Sequence, residues 1–141
     1  MTQNLITRKN IVIVGLGKTG LSCVRHLCNA NNDITVMDTR ITPPGAEELN
    51  AEYPDIRCVL GEFDNDILCT ADEIILSPGV PLSNEAIQEA INSGVKVRGD
   101  IDVFAEVANA PIIAITGSNG KSTVTTLLGD MAKSAGWNVG V

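Results

Sequence analysis

"NIVIVGLGKTG", Asn10 to Gly20, decides how the rest of the chain is read. Its first half is a β-branched apolar run, and its second half places Gly15, Gly17 and Gly20 in the spacing GxGxxG. A short apolar run bounded by a turn is the pattern of a buried strand. A glycine triplet that follows a strand and opens a helix is a phosphate-binding turn, with a separate physical reason for each glycine. Gly15 permits the tight turn, Gly17 lets a phosphate approach the backbone, and Gly20 lets helix and strand pack closely. The helix N-terminal amides then face the anion. The bland alternative is a tight strand-to-helix turn with no ligand.

Outward from that stretch, short β-branched runs alternate with helical ones. A helix is expected from Lys18 to Asn31, and a second strand in "DITVMD", Asp33 to Asp38. After the "TPPG" turn come a short helix, Ala46 to Tyr53, and a third strand, Ile56 to Gly61. "EIILSPG", Glu73 to Gly79, reads as a fourth strand, Ser83 to Ser93 as a helix capped by Ser83 or Asn84 and closed by Gly94, and "VKVRG" as a fifth strand. "DIDVFAEVA", Asp100 to Ala108, is a last short helix. Strand–helix alternation with helix-length crossovers implies an α/β, doubly wound, Rossmann-like parallel sheet of about five strands. That domain is expected to occupy residues 1–108. "NAP", Asn109 to Pro111, is the expected boundary. After it the pattern restarts over 109–141 with an apolar strand, "PIIAI", a glycine loop, a helix from Lys121 to about Ala135 closed by Gly136, and the start of a further strand in "WNVGV".

Bulk properties narrow the function. The chain has 141 residues, enough for one domain with a core and too few for two complete ones. Hydrophobic content of 44% with 19% charged residues suits a globular protein, and the scarcity of aromatics points to an aliphatic core rather than a base-stacking platform. A net charge of −7 disfavours non-specific nucleic-acid binding, which needs a basic face. No apolar stretch approaches the roughly 20 residues of a membrane span, and "MTQNLITRKN" lacks the apolar region of a signal peptide, so a cytoplasmic location is expected. Cys23, Cys28, Cys58 and Cys69 form no CxxC pair and no zinc spacing, and read as reduced, semi-buried residues. The lone His26 is read as a surface or helix-packing residue.

Two further motifs carry chemistry. Asp38, in "DTR" at the end of the second strand, stands about 20 residues beyond the glycine cluster, where an acid commonly bonds a ribose hydroxyl. Arg40 could pair with a phosphate there, and "SPG", Ser77 to Gly79, ends the fourth strand at the same edge. In the blander reading Asp38 caps a turn, Arg40 is solvated and "SPG" is a turn. The other motif is "TGSNGKSTVTTLL", Thr116 to Leu128. A Walker A loop reads GxxxxGK[ST], but position 115 is Ile115, so the loop is a shorter form: Gly117, Ser118, Asn119, Gly120, Lys121, Ser122, Thr123. Consecutive amides would cradle phosphate, Lys121 would offset charge on the β and γ groups, and Ser122 or Thr123 could reach Mg²⁺.

The two glycine motifs together resemble the Mur ligases, the ATP-dependent amino-acid ligases that build the peptide stem of bacterial cell-wall precursors. The family loop T-G-[ST]-N-G-K-[ST]-T matches Thr116 to Thr123, and "GLGKTGLS", "MDTR", "PPG", "SPGV" and "GDIDVF" resemble its D-glutamate-adding branch. The resemblance implies a first domain for the UDP-sugar, a second for ATP and a third for the amino acid, with this chain holding the first and only the beginning of the second. It implies that the GxGxxG domain takes the uridine diphosphate end of UDP-N-acetylmuramoyl-L-alanine, lined by Gly15, Gly17 and Gly20. Lys18 and Thr19 would lie by the diphosphate, with contact at position 18 made through the backbone because lysine replaces an expected apolar residue. Asp38, Thr39 and Arg40 would lie near uracil and ribose, and Gly79 would line the slot.

Under the same resemblance, residues 117–123 would hold ATP, Lys121 would act on the transferring phosphoryl group, and Ser122 or Thr123 would ligate magnesium. The whole enzyme would phosphorylate the substrate carboxylate, and the D-glutamate amine would attack the acyl phosphate. The isolated chain is expected to bind the UDP moiety without ligase activity. The whole enzyme is expected to be monomeric. Residues 112–115, as a strand lacking sheet neighbours, are expected to be disordered or to pair with another copy. Three rivals remain: a NAD-binding dehydrogenase or sensor, which explains Gly15, Gly17, Gly20 and Asp38 but not "GSNGKST"; a simple P-loop ATPase, which explains only the tail; and a binding module without catalysis.

Overall fold

Five of the β-branched runs become strands of one all-parallel sheet in the computed structural model, which describes residues 8–28 and 32–141. They are β1 (Asn10–Val14), β2 (Asp33–Asp38), β3 (Arg57–Leu60), β4 (Glu73–Leu76) and β5 (Lys96–Gly99), in the order β3-β2-β1-β4-β5. β1 occupies the centre, between β2 and β4. Ile11 to Val14 and Glu73 to Leu76 are buried throughout, as strands covered on both faces must be. β3 and β5, at the two edges, are mostly exposed or half-buried.

Side chains alternate across the sheet and build a core on each side. On one face Ile11, Ile13, Ile34, Val36 and Ile75 pack with Leu21 and Val24 of α1 (Lys18–Leu27), Leu49 of α2 (Ala46–Glu52) and Val103 of α5 (Asp100–Val107). On the other, Val12, Val14, Met37, Ile74 and Leu76 pack with Leu68 of α3 (Asn65–Cys69) and with Ile87 and Ala90 of α4 (Glu85–Asn92). Helices on both faces of a parallel sheet make the unit doubly wound, as expected. Asn84, one of the two candidate caps, is the N-cap of α4: its side chain accepts from the Ala86 and Ile87 amides. Gly94, at φ 90°, follows the helix end. α3 was not anticipated. Its signal is Asp64, whose carboxylate accepts from the Ile67 amide at 3.1 Å. The expected continuation of α1 over residues 29–31, and the N-terminal residues 1–7, lie outside the described residues.

At the amino ends of β4 and β5 the buried Glu73 carboxylate pairs with Arg98, with Lys96 at 3.8 Å and with Lys9 at 4.0 Å. Arg98 also reaches Glu106 of α5 at 2.5 Å. This network ties α5 to the sheet at the end remote from the glycine loop.

Backbone contacts divide the chain into two compact units, Met1–Val107 and Ala108–Val141. The second contains α6 (Lys121–Ser134), followed by Gly136 at φ 86°. The expected strand at "PIIAI" is not formed, nor is the one beginning at "WNVGV": residues 111–117 and 137–141 are in no ladder. The expectation of strand, loop and helix is therefore corrected to loop and helix. β-branched composition raises strand propensity, but a strand exists only when a neighbour takes its hydrogen bonds, and none of the described residues does so.

Candidate functional site

The strand order reverses direction beside β1: β2 and β3 extend to one side, β4 and β5 to the other. The loops leaving β1 and β4 consequently diverge, and a crevice opens at their carboxyl ends, where ligands of open α/β sheets bind. A cavity of about 450 Å³ lies there, lined by Gly15, Gly17, Lys18, Thr19, Asp38, Thr39, Arg40 and Gly79 together with Phe63, Ser77, Pro78 and Val80. Residues up to 65 positions apart are thereby brought to one place. Gly20, the remaining glycine of the triplet, does not line it. Its part is steric: a Cβ on Gly20 would stand 1.9 Å from the Gly15 carbonyl oxygen. Ser77 and Pro78 were read only as part of the "SPG" turn and Val80 only as the end of "SPGV", whereas Phe63 was missed. Its one trace was as one of four aromatics in the chain; nothing in the local pattern brings the loop after β3 to this crevice.

Gly15 takes φ 100°, a left-handed conformation open to glycine. Its amide donates to the Met37 carbonyl at 2.7 Å, and α1 begins three residues later with Gly17 as N-cap and no side-chain cap. The first-turn amides of α1 thus have no side-chain partner at the wall formed by Gly17, Lys18 and Thr19, which leaves them to an anion. The "TPPG" turn supports the loop from below, with the Gly45 amide donating to the Leu16 carbonyl at 3.1 Å.

Asp38 is buried, and its carboxylate is fully engaged within the protein. Oδ2 accepts from the Leu16 amide at 2.7 Å and Arg40 Nη2 at 2.6 Å; Oδ1 accepts from the Arg40 amide at 2.9 Å and Arg40 Nε at 2.8 Å. Those four bonds fill the lone-pair sites of a carboxylate. The Arg40 guanidinium, helped by the Leu16 and Arg40 amides, holds the Asp38 pKa down to about 2 against the opposing effect of burial. Asp38 therefore faces inward as an anchor, whereas Arg40, with its side chain 53% exposed, lines the cavity with its guanidinium.

In the second unit, Gly117 and Gly120 adopt φ 153° and 76°, and Gly120 is the left-handed N-cap of α6. Lys121 Nζ donates to the Gly117 carbonyl at 2.6 Å, closing the turn on itself. Gly117, Ser118, Asn119, Gly120, Lys121, Ser122 and Thr123 are all exposed. Thr125 bonds back to the Lys121 carbonyl at 2.8 Å.

A second cavity, of about 510 Å³, lies between α1 and α5. His26, Lys18, Thr19, Ser22 and Asp100 stand on its wall beside the more apolar Cys23, Ile101, Val103, Phe104 and Val107. Burial raises the pKa of the Cys23 and Cys58 thiols, so neither is activated. Among the described residues no three His, Cys, Asp or Glu side chains gather into a metal cluster, and no helix is long and apolar enough to cross a membrane.

Residues 9–99 match the family model of the Mur ligase MurD-like N-terminal domain. A UDP-N-acetylmuramoylalanine–D-glutamate ligase from Hahella chejuensis is 58% identical over 133 residues, covering 94% of this chain and 30% of that protein. One of the same name from Marinobacter nauticus is 52% identical over 137 residues, covering 97% and 31%. The chain thus spans about a third of the length of these curated relatives. Among solved structures, a pseudomurein peptide ligase type C from Methanothermus fervidus superposes with a TM-score of 0.61 at 27% identity, over 92% of this chain and 27% of that one. The UDP-N-acetylmuramate–alanine ligase of Thermotoga maritima shares the fold, with a TM-score of 0.58 at 22% identity over 91% of this chain and 30% of that one.

Proposed function

The chain belongs to the MurD-like Mur ligases, and from that premise we propose that it is the N-terminal part of an ATP-dependent ligase joining D-glutamate to UDP-N-acetylmuramoyl-L-alanine. Residues 1–108 are the substrate domain in this reading and 109–141 begin the ATP-binding domain. The cavity beside β1 and β4 takes the uridine diphosphate end of the substrate. Gly17, Lys18 and Thr19 offer backbone amides to the diphosphate, Gly15 lines the slot and makes the turn, Gly20 keeps helix and strand in contact, and Thr39, Arg40 and Gly79 border the base and ribose. The observation that carries this is the convergence of uncapped helix amides and the Asp38-held Arg40 guanidinium on one cavity. Such walls favour a polyanion.

The same geometry disfavours the dehydrogenase reading. A dinucleotide site of that type needs an acid free to accept from a ribose diol. Asp38 has no free acceptor, being bonded at four positions to Leu16 and Arg40.

For catalysis, residues Gly117 to Thr123 cradle the ATP phosphates and Lys121 offsets the charge of the transferring phosphoryl group. The Ser122 or Thr123 hydroxyl, a hard oxygen donor in the exposed first turn of α6, would hold Mg²⁺. The ion, when bound, supplies electrostatic stabilisation of that group. The whole enzyme then forms the amide: the substrate carboxylate takes the γ-phosphoryl group of ATP, releasing ADP, and the D-glutamate amine attacks the acyl phosphate and expels inorganic phosphate, in the cytoplasm and as a monomer. The 141-residue chain by itself binds the nucleotide end without making the amide. Its self-association, if driven by residues 112–115, needs pairing to form a strand that is not present beforehand.

Calorimetric titration with UDP-N-acetylmuramoyl-L-alanine, and in parallel with NAD and ATP, tests the reading. Saturable binding of the UDP compound without NAD binding is expected. NAD binding in its place would overturn it.

A further inference from the structure

β1 ends in an arrangement that the ladder alone does not explain. In a strand, the N–H and C=O of one residue point to the same neighbour, and the next residue points to the other. Gly15 breaks this rule. Its N–H donates towards β2, to the Met37 carbonyl at 2.7 Å, while its C=O accepts from the β4 side, from Ser77 Oγ at 3.0 Å. The preceding peptide already points the same way, because the Val14 carbonyl accepts from the Ser77 amide at 2.9 Å. Two successive peptide units therefore share one orientation, and the φ of 100° at Gly15 makes that reversal.

The second of these units, the Gly15–Leu16 peptide, has gone past the main-chain ladder at both ends. Side chains replace it. Ser77, at the end of β4, supplies a donor for the carbonyl, and Asp38, at the end of β2, supplies an acceptor for the Leu16 N–H at 2.7 Å. Fit is tight on the Ser77 side: a Cβ on Gly15 would lie 2.8 Å from Ser77 Cβ and 2.9 Å from its Oγ.

We propose that Ser77 and Asp38 are positioning residues that clamp the Gly15–Leu16 peptide from opposite strands and so aim the following amides at the ligand. This deepens the UDP-binding reading and rests on it. Ser77 lines the cavity, but its one proton is directed to the Gly15 carbonyl. It is therefore unable to donate to a phosphate at the same time, and its contribution passes through the loop. The Leu16 side chain, fully buried, and the Gly45 amide on its carbonyl hold the far side of the residue. Releasing either end of the clamped peptide lets the plane rotate and misaligns the amides of Gly17, Lys18 and Thr19.

The test uses the 141-residue chain and two readouts: calorimetric titration with UDP, and hydrogen exchange of the Leu16 amide without ligand. Ser77→Ala is expected to weaken UDP binding roughly 3- to 10-fold, the scale of one net hydrogen bond. It is expected to speed Leu16 exchange by about 10-fold or more while the Val12 and Ile75 core amides stay protected. Ser77→Thr, which keeps a hydroxyl, restores both. Unchanged Leu16 exchange in Ser77→Ala, or failure of threonine to restore it, would overturn the proposal. If the parent chain binds no UDP, the UDP reading fails, while Leu16 exchange still decides whether the clamp exists. Should Ser77→Ala loosen the core amides as well, Ser77→Cys, of similar shape with a weaker donor, decides the same comparison.

Discussion

Two glycine loops open two helices in this chain, and only one has a sheet beneath it. The loop at Gly15 leaves a central strand whose neighbours on both sides supply partners: Met37 and Asp38 from β2, Ser77 from β4. The loop at Gly117 follows residues that belong to no ladder, and the partner of its lysine is its own Gly117 carbonyl. The first loop is bound to distant residues, the second to itself. Glycine spacing determines which backbone turns are open to a loop, but its orientation is held by the sheet edge it leaves. Apolar burial follows the same division. Ile11 to Val14 are at most 2% exposed, whereas Ile113, Leu127, Met131 and Trp137 are each at least 60% exposed.

Substituting a helical glycine in each unit should break the symmetry between them most sharply. Gly20→Ala would drive a Cβ to 1.9 Å from the Gly15 carbonyl, a backbone atom held by the Ser77 hydroxyl, and is expected to cost at least ~3 kcal/mol. Urea unfolding followed by circular dichroism reads it. Wild-type stability in that variant would mean the loop is far more pliable than its partners suggest.

Next in size is Arg98→Ala, which removes the closest partner of the buried Glu73 carboxylate and frees Glu106 of α5. A loss of about 3 kcal/mol is expected, with UDP affinity unchanged, because the network lies at the opposite end of the sheet from the loop. Altered affinity would show that the two ends of the first unit are coupled.

Asp38→Asn should cost somewhat less, at most about 2 kcal/mol at neutral pH, reduced by screening on the exposed Arg40 side. The folded-state pKa of about 2 lies below the ordinary 3.8, so the carboxylate stabilises the fold above about pH 4 and ceases to do so as the pH falls through 2. Parent and variant stabilities, followed by thermal melting from pH 6 downwards, are expected to converge near pH 2. A constant gap would assign the loss to packing instead of charge.

The smallest effect belongs to the second unit. Gly129 is buried in α6, and a Cβ there would meet Val141 Cγ2 at 2.5 Å, the far end of a side chain rather than backbone. A rotation of that side chain relieves the contact, so Gly129→Ala is expected to raise helicity of α6 by up to about 1 kcal/mol in propensity. A fall in helicity would reveal that Val141 is held in place after all.

Much of the first unit was legible because its signals are local. β1 and β2 begin where their apolar runs begin, α4 starts at an asparagine cap, and GxGxxG lies on the expected turn. α3 escaped notice because a five-residue helix has too few turns to display a 3.6-residue period, leaving its Asp64 cap as the sole cue. In the candidate site, Asp38 and Arg40 were recognisable as neighbours of the loop, but not as partners of each other. Ser77 stood out merely as part of a turn. "PIIAI" misled for the opposite reason, since its composition favours a strand that has nothing to pair with among the described residues.

Local pattern was enough for the class of the fold, the place of both glycine loops and the family to which the chain belongs. All of these follow from residue types within a few positions of one another. The strand order, the engagement of Asp38, and the clamping of the Gly15–Leu16 peptide by residues 22 and 62 positions away arise from contacts between distant parts of the chain. A hydrogen bond closes when a donor and an acceptor meet in space, and no local pattern records which distant strand end will supply the second of them.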